Sequence, residues 1–354
     1  MKALVLCGGQ GVRLRPLTHT LAKQLVPVAN KPIVHYVMQR LMDAGIRHVG
    51  VIVSPESKYQ IREALEVNPW GHRLEYIVQE QPLGLAHAVM VARDFLRDDP
   101  FVMYLGDNMV GQDIKEFVDD FEASPTDAMV LLQAVADPHL FGVAEVDGEG
   151  KLLRLTEKPK SPTSNLALVG VYIFSSAIHD VVRQIKPSDR GELEITDAIQ
   201  ALLDQGNVVR SSILKSWWLD CGKKDDLLES NRVVLDDLIE RSILGSIDEK
   251  TRVYGRVELE SGANVKGSVI RGPAIIGEGT VIEDSFIGPF TSIGRGCQIR
   301  ESSIEHSVVL DMARIIGVSR LEDSLIGRHA VVKQGEGGLE RANMIIGDDS
   351  EVLL

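Results

Sequence analysis

MKALVLCGGQGVRLRPLTHTLAKQLVP, residues Met1 to Pro27, decides how this chain is read. An apolar run, Ala3 to Leu6, leads into a glycine turn, Gly8-Gly9-Gln10-Gly11, and then to Arg13, Arg15, Lys23 and Gln24. Glycines let backbone N–H groups approach a polyphosphate closely. Arginine and lysine then neutralise its charge. The run is not a P-loop, which would end in Gly-Lys-Ser/Thr. Nor is it the dinucleotide fingerprint, whose third glycine opens a helix; that position is Leu14.

The 354 residues allow two domains, and 44% apolar with 25% charged residues is ordinary for a soluble protein. No apolar run approaches the roughly 20 residues that span a bilayer, and the start shows no cleavable signal pattern. A cytoplasmic protein is therefore expected. A net charge of −13 argues against a nucleic-acid surface. An acidic protein that handles phosphates must gather its cations locally. The first 31 residues do so, with Lys2, Arg13, Arg15, Lys23 and Lys31 and no acid. Cys7, Cys221 and Cys297 match no zinc spacing and suggest no disulfide framework.

Two periods divide the chain. Up to about Leu244, apolar runs at Ala3–Leu6, Val49–Val53, Leu74–Val78 and Phe101–Leu105 predict buried strands. They alternate with helical stretches at Pro32–Ala44, Ser57–Glu66 and Gly84–Phe95. Such alternation predicts an α/β fold with a mainly parallel sheet that binds ligands beyond its strand C-termini. Further strands are expected at Ala128–Ala134, Gly142–Val146 and Leu166–Phe174, and helices near Ile195–Gln205 and Lys224–Glu240. After about Ser246 large aliphatics recur near every sixth residue. Val265, Ile282, Ile299 and Ile316 are each 17 apart, as are Ile270, Ile287, Ile304 and Leu321. Three such steps per coil describe a triangular β-helix. About four coils are expected, then a polar loop, Gln334 to Arg341, and a last unit at Ile346.

Gly-Gly-x-Gly-x-Arg-Leu-x-Pro-Leu-Thr from Gly8, followed by Lys23-Gln-Leu-x-Pro, resembles the signature of sugar-1-phosphate nucleotidylyltransferases. The closest likeness is to the long branch that handles glucose 1-phosphate and carries C-terminal left-handed hexapeptide repeats. The resemblance implies a Rossmann-like nucleotidyltransferase domain over 1–244 and a left-handed parallel β-helix over 245–354. It implies Mg²⁺-dependent transfer of a thymidylyl group from dTTP to α-D-glucose 1-phosphate. By resemblance Gly8, Gly9, Gly11, Gln24, Gln79 and Gly84 hold the nucleotide, with Gly84 leaving room for the base. Arg13 and Lys23 clamp its phosphates. Asp107 in Tyr104-Leu-Gly-Asp-Asn, and Asp220 in Trp217-Trp-Leu-Asp, share one Mg²⁺. Gly142, Glu157, Lys158, Leu168 and Arg190 meet the sugar phosphate. Arg13, Lys23, Asp107 and Lys158 form the implied catalytic set.

Neighbouring readings stay open. They are a UTP-dependent or other hexose-1-phosphate enzyme, a bifunctional enzyme whose β-helix transfers acetyl groups, and a non-catalytic scaffolding subunit. Against the last, all the phosphate-binding cations and metal ligands are present. The repeat is expected to support a homo-oligomer, with the transferase site confined to the first domain. Cys7 and Cys221 flank predicted site residues, so thiol reactivity is one expectation and burial as small hydrophobes the other. His139, His179, His306 and His329 are isolated and are expected on the surface or partly packed.

Overall fold

The computed structural model describes residues 1–335 and 341–354. It divides into two compact units. The first is Met1–Gly9 with Val34–Leu219, and the second is Gln10–Ile33 with Asp220–Leu354. This division differs from the expected 1–244 and 245–354. The segment that follows the first glycines is grouped with the repeat.

The first unit is built on a nine-stranded sheet. Lys2–Cys7 lies inside it, parallel to both His48–Val53 and Phe101–Leu105. Arg73–Val78 extends the parallel half. On the other side Leu166–Phe174 runs antiparallel to Phe101–Leu105 and leads to an antiparallel pair, Gly142–Val146 with Leu152–Glu157. The sheet is thus mixed: the half around Lys2–Cys7 is parallel and the far half mostly antiparallel. Near-continuous apolar runs in the central strands follow from burial on both faces. Helix Ile195–Asp204 packs Ile195, Ala198, Ile199 and Leu202 into the core beside Leu155, Tyr172 and Phe174.

Among the elements that escaped the sequence reading, two show local reasons. Leu152–Glu157 carries a register shift between Leu152 and Arg154, which breaks its apolar alternation. Helix Lys115–Ala123 buries only Phe117, Val118 and Phe121, and its opening Lys115–Asp119 ion pair faces solvent. No helix among the described residues is long and apolar enough to cross a membrane.

In the second unit the described residues wind into three parallel sheets of seven, seven and five strands. The coils start at Ser242–Ile243, before the expected run from Val265, and end at Glu351–Leu353, beside the last unit expected at Ile346. The first coils escaped because Ile243 pairs with Leu259 and Ile247 with Val265, steps of 16 and 18 that blur the period. Two interior positions differ from the 17-residue extrapolation. Ile299 pairs with Ile315, which is fully buried, whereas Ile316 pairs with Arg300. Ile293 likewise pairs with Val309 and not Leu310. That coil is one residue short, and the register recovers at Leu321 opposite Ile304. Of the polar loop expected at Gln334–Arg341, the stretch 336–340 lies outside the described residues.

Hydroxyls line one corner of the stack. Ser285 N donates to Ser268 Oγ at 3.0 Å, Ser302 N to Ser285 Oγ at 3.1 Å, and Val318 N to Ser302 Oγ at 3.1 Å. Each serine satisfies a backbone donor that the corner would otherwise bury unpaired.

Candidate active site

In the first unit the sheet aligns several expected residues at one edge. Leu6 pairs with Leu105, and Gly106 N donates to Leu6 O at 2.9 Å. Gly8, Gly9 and Asp107 therefore leave adjacent parallel strands side by side. Gln79 follows the outer strand, and its N donates to Val53 O at 2.9 Å. A Cβ on Gly8 would lie 3.4 Å from Gln79 Oε1, so the glycine lies close to the glutamine side chain. Gln79 Nε2 reaches Gly84 O at 3.2 Å and His87 Nδ1 at 2.9 Å.

Gly84 has φ +106°, and a Cβ there would sit 2.5 Å from the Leu193 carbonyl oxygen. Its missing side chain makes room for the Leu193 backbone. Leu193 N donates to Leu83 O and its O accepts from Ala86 N, tying this loop to the Arg190–Asp197 string. Gly84→Ala carries both a backbone clash and a left-handed strain of about 1–3 kcal/mol. Its melting temperature is expected to fall by several degrees in a thermal scan. An unchanged melt would show that the loop has another way to close.

Asp107 is braced by its neighbour. Asn108 is buried; its Nδ2 donates to Asp107 Oδ1 at 2.9 Å, and its Oδ1 accepts from Trp218 Nε1 at 2.6 Å. A Cβ on Gly170 would meet Asn108 Oδ1 at 2.5 Å, so this glycine makes room for the brace. Neither Asn108 nor Gly170 was singled out from sequence, since their roles depend on a strand distant in the chain.

A second cluster in the same unit gathers the expected sugar-side residues. Arg190 Nη1 donates to Glu157 Oε1 at 3.2 Å, and Thr196 Oγ1 to Glu157 Oε2 at 3.1 Å. Lys158 Nζ is 3.7 Å from Glu157 Oε1. A Cβ on Gly142 would lie 2.6 Å from Thr196 Cγ2 and 3.2 Å from Glu157 Oε2. Leu168 is buried below, its Cδ1 3.4 Å from that same point. Arg190 also meets Glu192 at 2.7 Å and Glu194 at 3.8 Å. Burial pushes the Glu194 carboxyl above its usual range, opposed by a hydrogen bond from Ser188. Burial, with Glu157 adding, also raises Asp197.

In the second unit Gly11 adopts φ +63°, and a Cβ there would press on Thr18 and on Lys23 Cβ at 2.9 and 3.0 Å. Lys23 opens a 3₁₀ turn, Lys23–Leu25; it is 6% exposed, with Nζ 3.9 Å from Asp220 Oδ1. Gln24 beside it is buried, and its Oε1 has no partner among the described residues. A buried acceptor left open in this way marks a place where a ligand can supply a donor. A Cβ on Gly222 would touch the Arg13 guanidinium at 2.8 Å and Asp220 Oδ2 at 3.4 Å, which brings Arg13 near Asp220. The Asp220 carboxylate offers the hard oxygens that Mg²⁺ prefers, and Mg²⁺ keeps several waters and needs few protein ligands. The described residues contain no cluster of three or more His, Cys, Asp or Glu able to hold a metal alone.

The two cysteines follow the inert reading. Cys7 is fully buried, and burial with Asp107 nearby raises its thiol pKa well above normal. Cys221 is also fully buried, its Sγ 3.3 Å from Ser230 Oγ. Neither thiol is expected to react with iodoacetamide in the native protein, whereas both should be labelled after denaturation. Mass spectrometry that finds label on native Cys7 would contradict this.

Over residues 2–237 the chain matches the nucleotidyl transferase family, and over residues 255–336 the GlmU-like C-terminal hexapeptide family. The three-sheet stack is accordingly a left-handed parallel β-helix. The chain is 50% identical over 353 residues to glucose-1-phosphate thymidylyltransferase of Streptomyces antibioticus, with 99% of each chain covered. It is 48% identical over 350 residues to the protein of that name in Streptomyces griseus, covering 99% of this chain and 98% of the other. A Bacillus anthracis crystal structure assigned as a glucose-1-phosphate thymidylyltransferase, in complex with a sucrose, superposes with a TM-score of 0.62 at 35% identity. That match covers 66% of this chain and 94% of the other.

Proposed function

The chain belongs to the nucleotidyl transferase family and is an enzyme, and we propose that it transfers the deoxythymidylyl group of dTTP to α-D-glucose 1-phosphate. The products are dTDP-glucose and pyrophosphate. The observation that carries this reading is the grouping of buried Lys23 with Asp220 and Arg13 behind a glycine turn. Clustered cations and a hard carboxylate of this kind suit a triphosphate, which supports the reading. Near-full-length identity to two proteins named for this activity supports the choice of substrates.

A sugar-phosphate oxygen attacks the α-phosphorus. A new P–O bond forms, the bond to the β-phosphate oxygen breaks, and pyrophosphate departs with the electron pair. The attacking phosphate is already ionised at neutral pH, so no protein nucleophile or base is required. Catalysis is then positioning and charge neutralisation. Arg13 and Lys23 bind the triphosphate, with Arg13 toward the leaving pyrophosphate. Backbone at Gly8, Gly9 and Gly11 approaches the nucleotide, and Gln24 and Gln79 orient its phosphates or base. Glu157 accepts from sugar hydroxyls, held by Thr196, while Lys158 and Arg190 take the sugar phosphate. Gly142 leaves space for the hexose over Leu168. Asp107 and Asp220 are the carboxylates for Mg²⁺, which when bound screens the phosphate charge. We assign this chemistry to residues 1–244 and the β-helix to 245–354, in a cytoplasmic homo-oligomer.

The test is pyrophosphate release with dTTP, UTP, ATP, CTP and GTP, each against glucose 1-phosphate and other hexose 1-phosphates. The expected result is fastest turnover with dTTP and glucose 1-phosphate. Faster turnover with UTP would reassign the nucleotide, since one methyl contributes only about 1–3 kcal/mol of discrimination. No release with any pair would favour the scaffolding reading.

A further inference from the structure

We propose that the β-helix is a positioning device for the phosphate-binding segment, and that Asn231 is the residue through which it acts. The proposal rests on the reading of Lys23 as a phosphate clamp. It replaces the expectation that the repeat serves assembly alone.

Residues 10–33 have little means of holding their own shape. They contain three single-turn 3₁₀ helices and a two-residue hairpin, Pro27–Val28 with Lys31–Pro32. At the hairpin tip both Ala29 and Asn30 have positive φ, +47° and +60°. For alanine that conformation is uncommon and costs free energy, so it persists only where the surroundings hold it.

The repeat and its leading helix supply that hold. Asn231, on helix Lys224–Leu238, is fully buried. Its Oδ1 accepts from Ala29 N at 2.9 Å and from Ser292 Oγ at 2.6 Å. Its Nδ2 donates to Phe290 O at 3.0 Å. One amide therefore joins the strained hairpin tip to a coil of the β-helix. Asn30 Nδ2 adds a direct bond to Ile293 O at 2.7 Å on the same coil. At the other end of the segment Thr20 Oγ1 donates to Asp348 Oδ2 at 2.8 Å. A Cβ on Gly347 would lie 3.2 Å from Pro16 Cβ, so the chain passes close there as well.

The hold transmits to Lys23 through backbone bonds. Ile33 N, at the far side of the hairpin, donates to Val26 O at 3.3 Å, and Val26 N donates to Lys23 O at 3.2 Å. The hairpin thus fixes the exit of the turn that carries Lys23 and Gln24. Displacing a phosphate clamp by about 1 Å can cost 100-fold in rate. Buried polar groups that satisfy one another completely are suited to this task, because they admit one arrangement.

The experiment uses the full-length protein with Asn231→Ala, Asn30→Gly and Arg256→Ala. Glycine at position 30 keeps the positive φ at no steric cost and removes only the side-chain anchor. Arg256 joins the same helix to the β-helix through Asp236 but does not touch residues 10–33, so it reports general loosening. Melting temperature, kcat and KM for each substrate are measured. Asn231→Ala and Asn30→Gly are expected to lose about 10–100-fold in kcat/KM for the nucleotide. KM for the sugar phosphate should move less than twofold, and Arg256→Ala should keep wild-type kinetics. Folded Asn231→Ala and Asn30→Gly with wild-type nucleotide kinetics would overturn the proposal. So would an equal rise in KM for both substrates, or comparable losses in Arg256→Ala. If Asn231→Ala fails to fold, Asn30→Gly alone decides. An inactive parent enzyme, or a fully active Lys23→Ala, would instead refute the clamp reading beneath it.

Discussion

Lys23→Ala turns over at least about 10²–10³-fold more slowly than the parent enzyme, the loss typical when one preorganised charge-stabilising donor is removed. Lys23 is buried, so its charge acts in a medium that screens it less than water does. Its Nζ lies 3.9 Å from Asp220 Oδ1, so the ammonium has a carboxylate beside it. The other cation of the segment near Asp220 is Arg13, whose rigid fork cannot follow a point charge's geometry. Steady-state pyrophosphate release checks the rate, and circular dichroism with a melting scan checks the fold. Near-parental turnover by a folded variant would remove Lys23 from the mechanism.

Asp107→Asn and Asp220→Asn are each expected to raise the Mg²⁺ concentration for half-maximal activity by more than tenfold and to lower kcat by at least about 100-fold. Asparagine keeps the size of the side chain and most of its hydrogen bonding, so the change is in charge. Asn108 braces Asp107 through Asp107 Oδ1, and the substituted amide can still accept there. Residues that act as a unit are strongly non-additive, so the double variant should be little worse than the poorer single one. Independent, multiplying losses in this cycle would argue that the two carboxylates do separate work.

Sequence and structure agree where chemistry or period is local. The strand at Phe101–Leu105 was legible to the residue because it is buried on both faces. The resemblance grouped Glu157, Lys158 and Arg190, and the fold brings their side chains together. What escaped depends on partners distant in the chain. Thr196 acts on Glu157 from 39 residues away, and Asn231 on Ala29 from 202. No local pattern distinguishes such residues from ordinary helix positions. His179 was expected on the surface or partly packed; it is buried against Phe101, and burial lowers its pKa. A small helix of four residues, Ile178–Val181, is too short for its inward face to show as a period.

Helix Lys224–Leu238 also measures the repeat. Lys224 Nζ donates to Asp323 O, Asn231 Nδ2 to Phe290 O, and Arg256 Nη2 to Asp236 Oδ1, so the helix runs antiparallel to the direction of winding. Lys224 and Asn231 are seven residues apart, about 10.5 Å at the helical rise. Phe290 and Asp323 are two coils apart, about 9.6 Å at the spacing of neighbouring strands. The two lattices come into step at these anchors. A β-helix by itself can gain or lose a whole coil with its interior unchanged, so its length drifts easily in evolution. Here a coil added or removed between Arg256 and Asp323 would leave one end of the rod unmatched. The count of coils along the rod is fixed by a ruler outside the stack.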